Sequence, residues 1–388
     1  MSAPRVRRAL RRGAFVGFGL TLGLAAAELA ARRWSGVEGA WLLVNAPDLY
    51  DTSIFTPDAQ LGQVLRPGAI GHMHTPEFST EVRVSAQGTR GGDLAPKAAG
   101  AQRVLALGDS FTLAVQVPER DSFSGRLSRA LSETTGHPVE VVNAGVDGFG
   151  TFEATRQLQR LAPVVRPDVV LLTFFLGNDL EDNRRHRDTP APVNAAALPS
   201  LASPLDTLFS WSFLYFHGKS LWRAQQAAAD PGRSGRFRAE AEAFTRGTDL
   251  RERLAPTERA LRELDSTAHS LGLPLVIALA PPAFVISPER AHATFELFGV
   301  TGEPDLQAPA REVSRRVPGG VSVVDLEPAL EAAEGEGRTY FVFDGHWTAR
   351  GHETVARALT PTLLTALRGP GPAPSSSPAG PPTPGTPR

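Results

Sequence analysis

Residues 102–110 read Gln102-Arg103-Val104-Leu105-Ala106-Leu107-Gly108-Asp109-Ser110, a short apolar run that stops in a Gly-Asp-Ser turn. Such a run, bounded by turn residues, is the pattern of a strand covered on both faces. Working outward, the same unit recurs. Residues 139–143, 168–175, 274–280 and 321–325 are further apolar strands. Between them, apolar residues repeat at helical spacing. Asp121 can cap a helix carrying Phe123, Leu127 and Leu131, Thr151 opens another, residues 257–271 form a third that ends at Gly272, and a last one starts near Thr348 and runs through Val355, Leu359 and Leu363. Strands alternating with helices predict an α/β fold, with a mostly parallel sheet covered on both faces.

The flanks differ in composition. Five arginines precede Gly13 (Arg5, Arg7, Arg8, Arg11 and Arg12), and residues 13–27 are uncharged and apolar. Residues 1–34 therefore read as an export signal, either a retained signal anchor or a signal peptide cleaved after the Ala25-x-Ala27 pattern. The arginine excess predicts a cytoplasmic N-terminus and a membrane-anchored, extracytoplasmic catalytic domain, or a secreted one if cleavage occurs. Residues 35–100, with alternating runs such as Glu81-Val82-Arg83-Val84-Ser85, form a small β-rich segment. Residues 101–368 are the main domain, interrupted by an insertion at 181–256. Within that insertion Phe209, Trp211, Phe213, Tyr215, Phe216 and Trp222 make an aromatic stretch that reads as a helix packed on the domain, a lid, or a patch resting on a membrane. Residues 369–388 are rich in Pro, Gly, Ser and Thr and read as a disordered tail.

Composition narrows the chemistry. Across 388 residues, 40 Lys and Arg nearly balance 41 Asp and Glu, for a formal net charge of -1, so nothing in the charge balance points to nucleic acid. There is no cysteine, which removes disulfides, thiolate metal sites and a cysteine nucleophile. No cofactor and no metal are called for. His72 and His74 alternate as on a strand face but lack a third ligand. The oligomeric state is not legible.

Four short motifs occupy equivalent places past predicted strand ends. They are Gly108-Asp109-Ser110, Asn143-Ala144-Gly145-Val146-Asp147-Gly148, Gly177-Asn178-Asp179 and Asp344-Gly345-His346. In open α/β sheets that edge is where ligands bind, so residues distant in sequence can converge there. A serine hydroxyl is a weak nucleophile and needs a base, which in turn needs an orienting group. Ser110 as nucleophile, His346 as base and Asp344 as its partner meet that requirement. The oxyanion of the tetrahedral intermediate needs fixed donors, for which the Ser110 and Gly148 amides and the Asn178 side chain are candidates. His352 is an alternative base and Asp325 an alternative orienting carboxylate. Asp179 and Asp182 read as turn and helix-cap residues.

Taken in order, these blocks resemble those of the SGNH/GDSL hydrolase superfamily over residues 102–367, with 181–256 unmatched. The resemblance implies a three-layer flavodoxin-like fold, Ser110 as nucleophile, Gly148 and Asn178 in the oxyanion hole, Asp344 and His346 completing a triad, and a structural role for Asp109. The usual final block has Asp three residues before His, where this chain has Phe343. Asp two residues before His, followed by Trp347, is similar to the alginate O-acetylation branch. The expected function is thus an extracytoplasmic serine esterase acting on acyl, chiefly acetyl, esters of a carbohydrate or lipid. The alternatives are an O-acyltransferase acting on an extracellular polysaccharide and a non-catalytic, membrane-tethered glycan-binding or assembly module. The expected partners are a small-molecule or glycan ester and the membrane that holds the N-terminal segment.

Overall fold

The computed structural model describes residues 3–34, 51–75, 77–186, 205, 208–209, 211–219, 222, 238–342 and 344–369. The tail at 370–388, residues 35–50 of the β-rich segment and most of 187–237 lie outside the described residues.

The sheet has five parallel strands: β5 (Gln102–Gly108), β6 (Val139–Asn143), β7 (Val169–Phe175), β8 (Leu275–Ala280) and β9 (Ser322–Asp325). Their spatial order is β6-β5-β7-β8-β9. That is the doubly wound, flavodoxin-like order, whose winding reverses between β5 and β7. The apolar runs give the sheet its two buried faces. Leu105 and Leu107 of β5 join Leu172, Ile277 and Leu279 on one face. Val104 and Ala106 join Val141, Leu171 and Ala278 on the other.

Helices cover both faces and make three layers. Against the first lie α4 (Thr151–Val165) through Leu158 and Leu161, and α6 (Arg251–Ser270) through Leu261 and Leu264. Against the second lie α3 (Phe123–Thr135) through Phe123, Leu127 and Leu131, and α10 (Ala349–Leu367) through Val355, Leu359 and Leu363. Shorter helices α2 (Ser110–Leu113), α5 (Asp179–His186), α7 (Pro288–Leu297), α8 (Ala308–Ser314) and α9 (Glu327–Glu334) fill the connections.

Two local expectations change. Ser122, not Asp121, caps α3, its Oγ accepting the Gly125 N–H at 3.2 Å. Asp121 sits one position too early and instead pairs with Arg126 at 3.3 Å. The helix expected from Thr257 starts earlier, at Arg251, and runs through Pro256, whose missing N–H leaves the Glu252 carbonyl without its i+4 donor.

The β-rich segment contributes two antiparallel hairpins, β1 (Phe55–Asp58) with β2 (Gly62–Leu65) and β3 (Ile70–His74) with β4 (Ser79–Arg83). Their buried residues Ile54, Leu65, Met73 and Val82 pack with Leu113, Val115, Val146 and Phe149. Those partners belong to the loops that follow β5 and β6, so the hairpins buttress the rim of the sheet. At the N-terminus, α1 (Ala3–Trp34) contains a 23-residue stretch, Arg11–Arg33, long and apolar enough to cross a membrane. Apolar N-terminal helices of this kind serve as signal anchors or signal peptides.

Candidate active site

Ser110 begins α2 directly past the end of β5, and its side chain is half-buried. Asp109 precedes it and fixes the turn, its Oδ1 accepting the Phe111 N–H at 2.9 Å. At the other end of α2, Ala114 takes a left-handed conformation with φ 58. The buried Arg90 guanidinium holds that end by donating to the carbonyls of Leu113 at 2.6 Å, Ala114, and Val117 at 2.5 Å.

His346 stands on the loop before α10, whose Val355 and Leu359 share a core cluster with Phe111. The loop is closed at its base by the Phe341 N–H donating to the His346 carbonyl at 2.9 Å and by the bridge of Tyr340 with Trp347. Gly345 has φ 81, a conformation that glycine adopts without the penalty of a Cβ, and it turns Asp344 back onto the ring that follows. His346 Nδ1 lies 2.7 Å from Asp344 Oδ1, and its Nε2 lies 2.8 Å from Ser110 Oγ. The spacing of two residues, shorter than the usual block, thus makes the contact expected of it. Tautomer is fixed by these neighbours: Nδ1–H donates to the carboxylate, leaving Nε2 to accept from the serine hydroxyl.

Aromatic packing locks the two loops together. Phe111, the residue after Ser110, sits 4.6 Å from the His346 ring and 4.9 Å from Trp347, centroid to centroid. Trp347 is fully buried, and the Tyr340 hydroxyl donates to the Pro281 carbonyl at 2.6 Å.

A carboxylate missing from the sequence reading completes the loop. Glu77, on the turn between β3 and β4, accepts the N–H of Val342 at 2.5 Å and that of Asp344 at 2.9 Å. Its signal is invisible in sequence, because its partners are backbone groups more than 260 positions away. Arg90 is missed because its partners, 23 to 27 positions on, are also main-chain groups.

Gly148 and Asn178 stand past β6 and β7. The loop after β6 is tied to the Ser110 strand by the Ala144 N–H donating to the Ala106 carbonyl at 2.8 Å and by the Val146 N–H donating to that of Gly108 at 3.1 Å. Gly148 is exposed with φ 76 and has open space where a side chain would be. Asn178 is half-buried, and its Oδ1 is buried without a partner among the described residues.

Electrostatics favour a basic imidazole. Burial pushes His346 down, but the charge and hydrogen bond of Asp344, then the charges of Asp109 and Asp147, raise it above its ordinary value. Asp109 itself is pushed up to about 7 by burial, against the lowering effect of the Phe111 N–H and the His346 charge. Asp179 is raised well above the carboxylate range by burial and by the neighbouring Asp109 and Asp182.

The other candidates fall elsewhere. His352 is buried; its Nδ1 accepts the Phe123 N–H at 3.2 Å and its ring stacks on Phe123. Burial and the Arg90 charge hold it well below its usual range, so it supports α3 as a neutral ring. Asp325 accepts the Glu327 N–H at 3.0 Å and starts α9. Asp179 accepts the Phe175 N–H at 3.0 Å, a turn role. His72 and His74 lie on the exposed face of β3.

A serine, an imidazole and a carboxylate linked in that order, at the carboxyl rim of a parallel α/β sheet, form the arrangement used by serine hydrolases. Residues 106–354 match the GDSL-like Lipase/Acylhydrolase family, and the chain belongs to that family of ester-hydrolysing enzymes. Among solved structures it is similar to the lipase Lip_vut3 from a goat rumen metagenome, at TM-score 0.38 and 15% identity over 68% of this chain and 98% of that one. It is also similar to a lipase/acylhydrolase from Enterococcus faecalis, at TM-score 0.35 and 15% identity over 68% and 96%. A two-domain esterase active on acetylated mannans is similar at TM-score 0.37 and 14% identity over 71% of this chain and 53% of that one. No curated protein sequence matches the chain.

Proposed function

We propose that the chain is a membrane-anchored, extracytoplasmic serine esterase that removes acyl groups, chiefly acetyl, from a carbohydrate or lipid. The observation that carries this reading is the continuous chain of two hydrogen bonds, Ser110 Oγ to His346 Nε2 at 2.8 Å and His346 Nδ1 to Asp344 Oδ1 at 2.7 Å. As Ser110 Oγ attacks the ester carbonyl, its proton passes to His346 Nε2, and Asp344 stabilises the imidazolium. The oxyanion is held by the Ser110 and Gly148 amides and by the Asn178 side-chain amide. His346 then protonates the departing alcohol, which leaves an acyl ester on Ser110. Water, deprotonated by the same imidazole, releases the acid and restores the serine.

An open rim suits a bulky alcohol. Gly148 and Asp147 are exposed beside the half-buried serine, so a sugar or headgroup has room to approach. The placement outside the cytoplasm is supported by the arginines that precede the apolar stretch of α1.

The experiment is hydrolysis of p-nitrophenyl acetate and longer p-nitrophenyl esters by the full chain in detergent, with and without an acetyl-accepting polysaccharide. Turnover that is lost in Ser110→Ala is expected. Acetylated polysaccharide as the main product would assign the second step to transfer instead of hydrolysis. The absence of both turnover and an acyl-enzyme at every pH would contradict the enzymatic reading.

A further inference from the structure

Exposed large apolar side chains are concentrated in two places among the described residues. One is α1, from Phe15 to Leu29. The other is the stretch 205–222, where Leu208 is 63% exposed, Trp211 57% and Trp222 55%, with Leu205 and Leu214 also exposed. Elsewhere only Ile70, Val164 and Leu271 stand out, widely separated in sequence. Scattered apolar residues are ordinary on a soluble surface, whereas a cluster marks something that covers it.

These two places are joined. Glu28 of α1 accepts from the Ser212 hydroxyl at 2.8 Å, the Phe213 N–H at 2.9 Å and the Leu214 N–H at 3.1 Å. One turn later, Arg32 pairs with Glu28 at 2.8 Å, donates to the Trp211 carbonyl at 2.5 Å, and lies over the Phe213 ring at 4.9 Å from its centroid. A carboxylate near the end of an apolar helix is costly in lipid unless its oxygens find donors. Both Glu28 oxygens have them, and they come from this one stretch.

Depth follows from helix geometry. At about 1.5 Å per residue, Arg11–Arg33 spans roughly 34 Å, close to the thickness of a bilayer's apolar core. Arg32 and Arg33 then reach for the headgroups. Glu28 lies roughly 6 Å inward of Arg32. Trp211 and Leu214 are held at that level, the headgroup-to-acyl boundary where in-plane amphipathic helices bury their apolar face and where tryptophan is enriched.

We propose that Leu205, Leu208, Trp211, Leu214 and Trp222 form a bilayer-seated surface, latched to α1 by Glu28, whose partner is the lipid of the leaflet where α1 ends. The inference rests on α1 being a retained anchor. It assigns Trp211 and Trp222 of the aromatic stretch to lipid contact, while Phe216 is buried within the protein.

The chain lacks cysteine, so single-cysteine variants carry one probe each. Nitroxides on Leu208→Cys and Leu214→Cys, with Leu22→Cys inside the span and Leu271→Cys on the domain as references, are placed on the full chain in phosphatidylcholine and phosphatidylglycerol vesicles. Collision with oxygen, which partitions into lipid, is compared with collision with a water-soluble nickel chelate. Oxygen should dominate at 208, 214 and 22, and nickel at 271. Adding Glu28→Leu should shift 208 and 214 toward nickel without changing hydrolysis of a soluble ester. Nickel dominance at 208 and 214 with oxygen dominance at 22 would overturn the surface while sparing the anchor. Nickel dominance at 22 as well would overturn the anchor and the inference with it. An unchanged profile in Glu28→Leu would remove the latch.

Discussion

The carboxylate of Glu77 accepts the main-chain N–H of Asp344 at 2.9 Å, joining a hairpin that precedes the sheet to the loop that presents His346. The β-rich segment therefore does more than cover the rim: it sets the position of the carboxylate that orients the imidazole. Glu77→Ala leaves the Val342 and Asp344 N–H groups without that acceptor, and charge-assisted hydrogen bonds are each worth about 1.5–3 kcal/mol. We expect kcat to fall by roughly 10- to 100-fold with KM little changed, and Glu77→Gln to recover part of the loss, measured by steady-state hydrolysis of a p-nitrophenyl ester. Equal kcat in Glu77→Ala and wild type would contradict the positioning role.

The acid limb of the pH–rate profile follows from His346. The imidazole must be neutral to accept the serine proton, and its neighbours raise it above its ordinary value, so activity should rise with pH through a midpoint above about 6.5. Asp344→Asn removes the largest raising influence. The midpoint should move down, while kcat drops by as much as about 10⁴-fold because the ring loses its preferred tautomer. A midpoint unmoved by the substitution would detach Asp344 from the imidazole.

Asp109 and Asp179 predict a stability that declines toward neutral pH. Asp109 is raised from an ordinary 3.8 to about 7 in the fold, so its contribution is complete below its unfolded value and is lost as pH rises through the folded one. Asp179, raised in the same direction, adds to this. Asp179→Asn keeps an acceptor for the Phe175 N–H and removes one buried carboxyl. Its melting temperature should equal that of wild type near pH 4 and exceed it near pH 8. A gap that does not widen with pH, followed by scanning calorimetry, would contradict the assignment.

Arg90 should matter to folding more than its distance in sequence suggests. Arg90→Met strands three buried carbonyls that now share one guanidinium, at Leu113, Ala114 and Val117. Buried acceptors left unsatisfied cost about 1–3 kcal/mol each, which for a domain of this size lowers the melting temperature by on the order of 10 °C. A melting temperature within a degree or two of wild type would remove Arg90 from the support of α2.

Sequence revealed most of the sheet because its central strands are continuous apolar runs, and β6 falls on the residues expected of it although Glu140 interrupts its apolar run. Helix starts were less legible where neighbouring residues could both cap, as Asp121 and Ser122 could, or where a helix runs through a proline, as at Pro256. Ser110 could be picked out because its motif stands at a strand end, and Asp344 and His346 because they share one short motif, which the fold places on the loop before α10 and not past a strand. Glu77, Arg90 and Glu28 could not, because each acts mainly on main-chain groups. A backbone N–H or carbonyl leaves no residue-type signature, so only coordinates bring these contacts into view.

The central claim is that Ser110 is activated by His346. Intact-mass analysis after a serine-directed fluorophosphonate tests it most directly. The account predicts one adduct on the wild-type chain, mapped by peptide digestion to Ser110 and formed far more slowly in His346→Ala. Labelling at another serine, or labelling of Ser110 at the same rate without the imidazole, would contradict it.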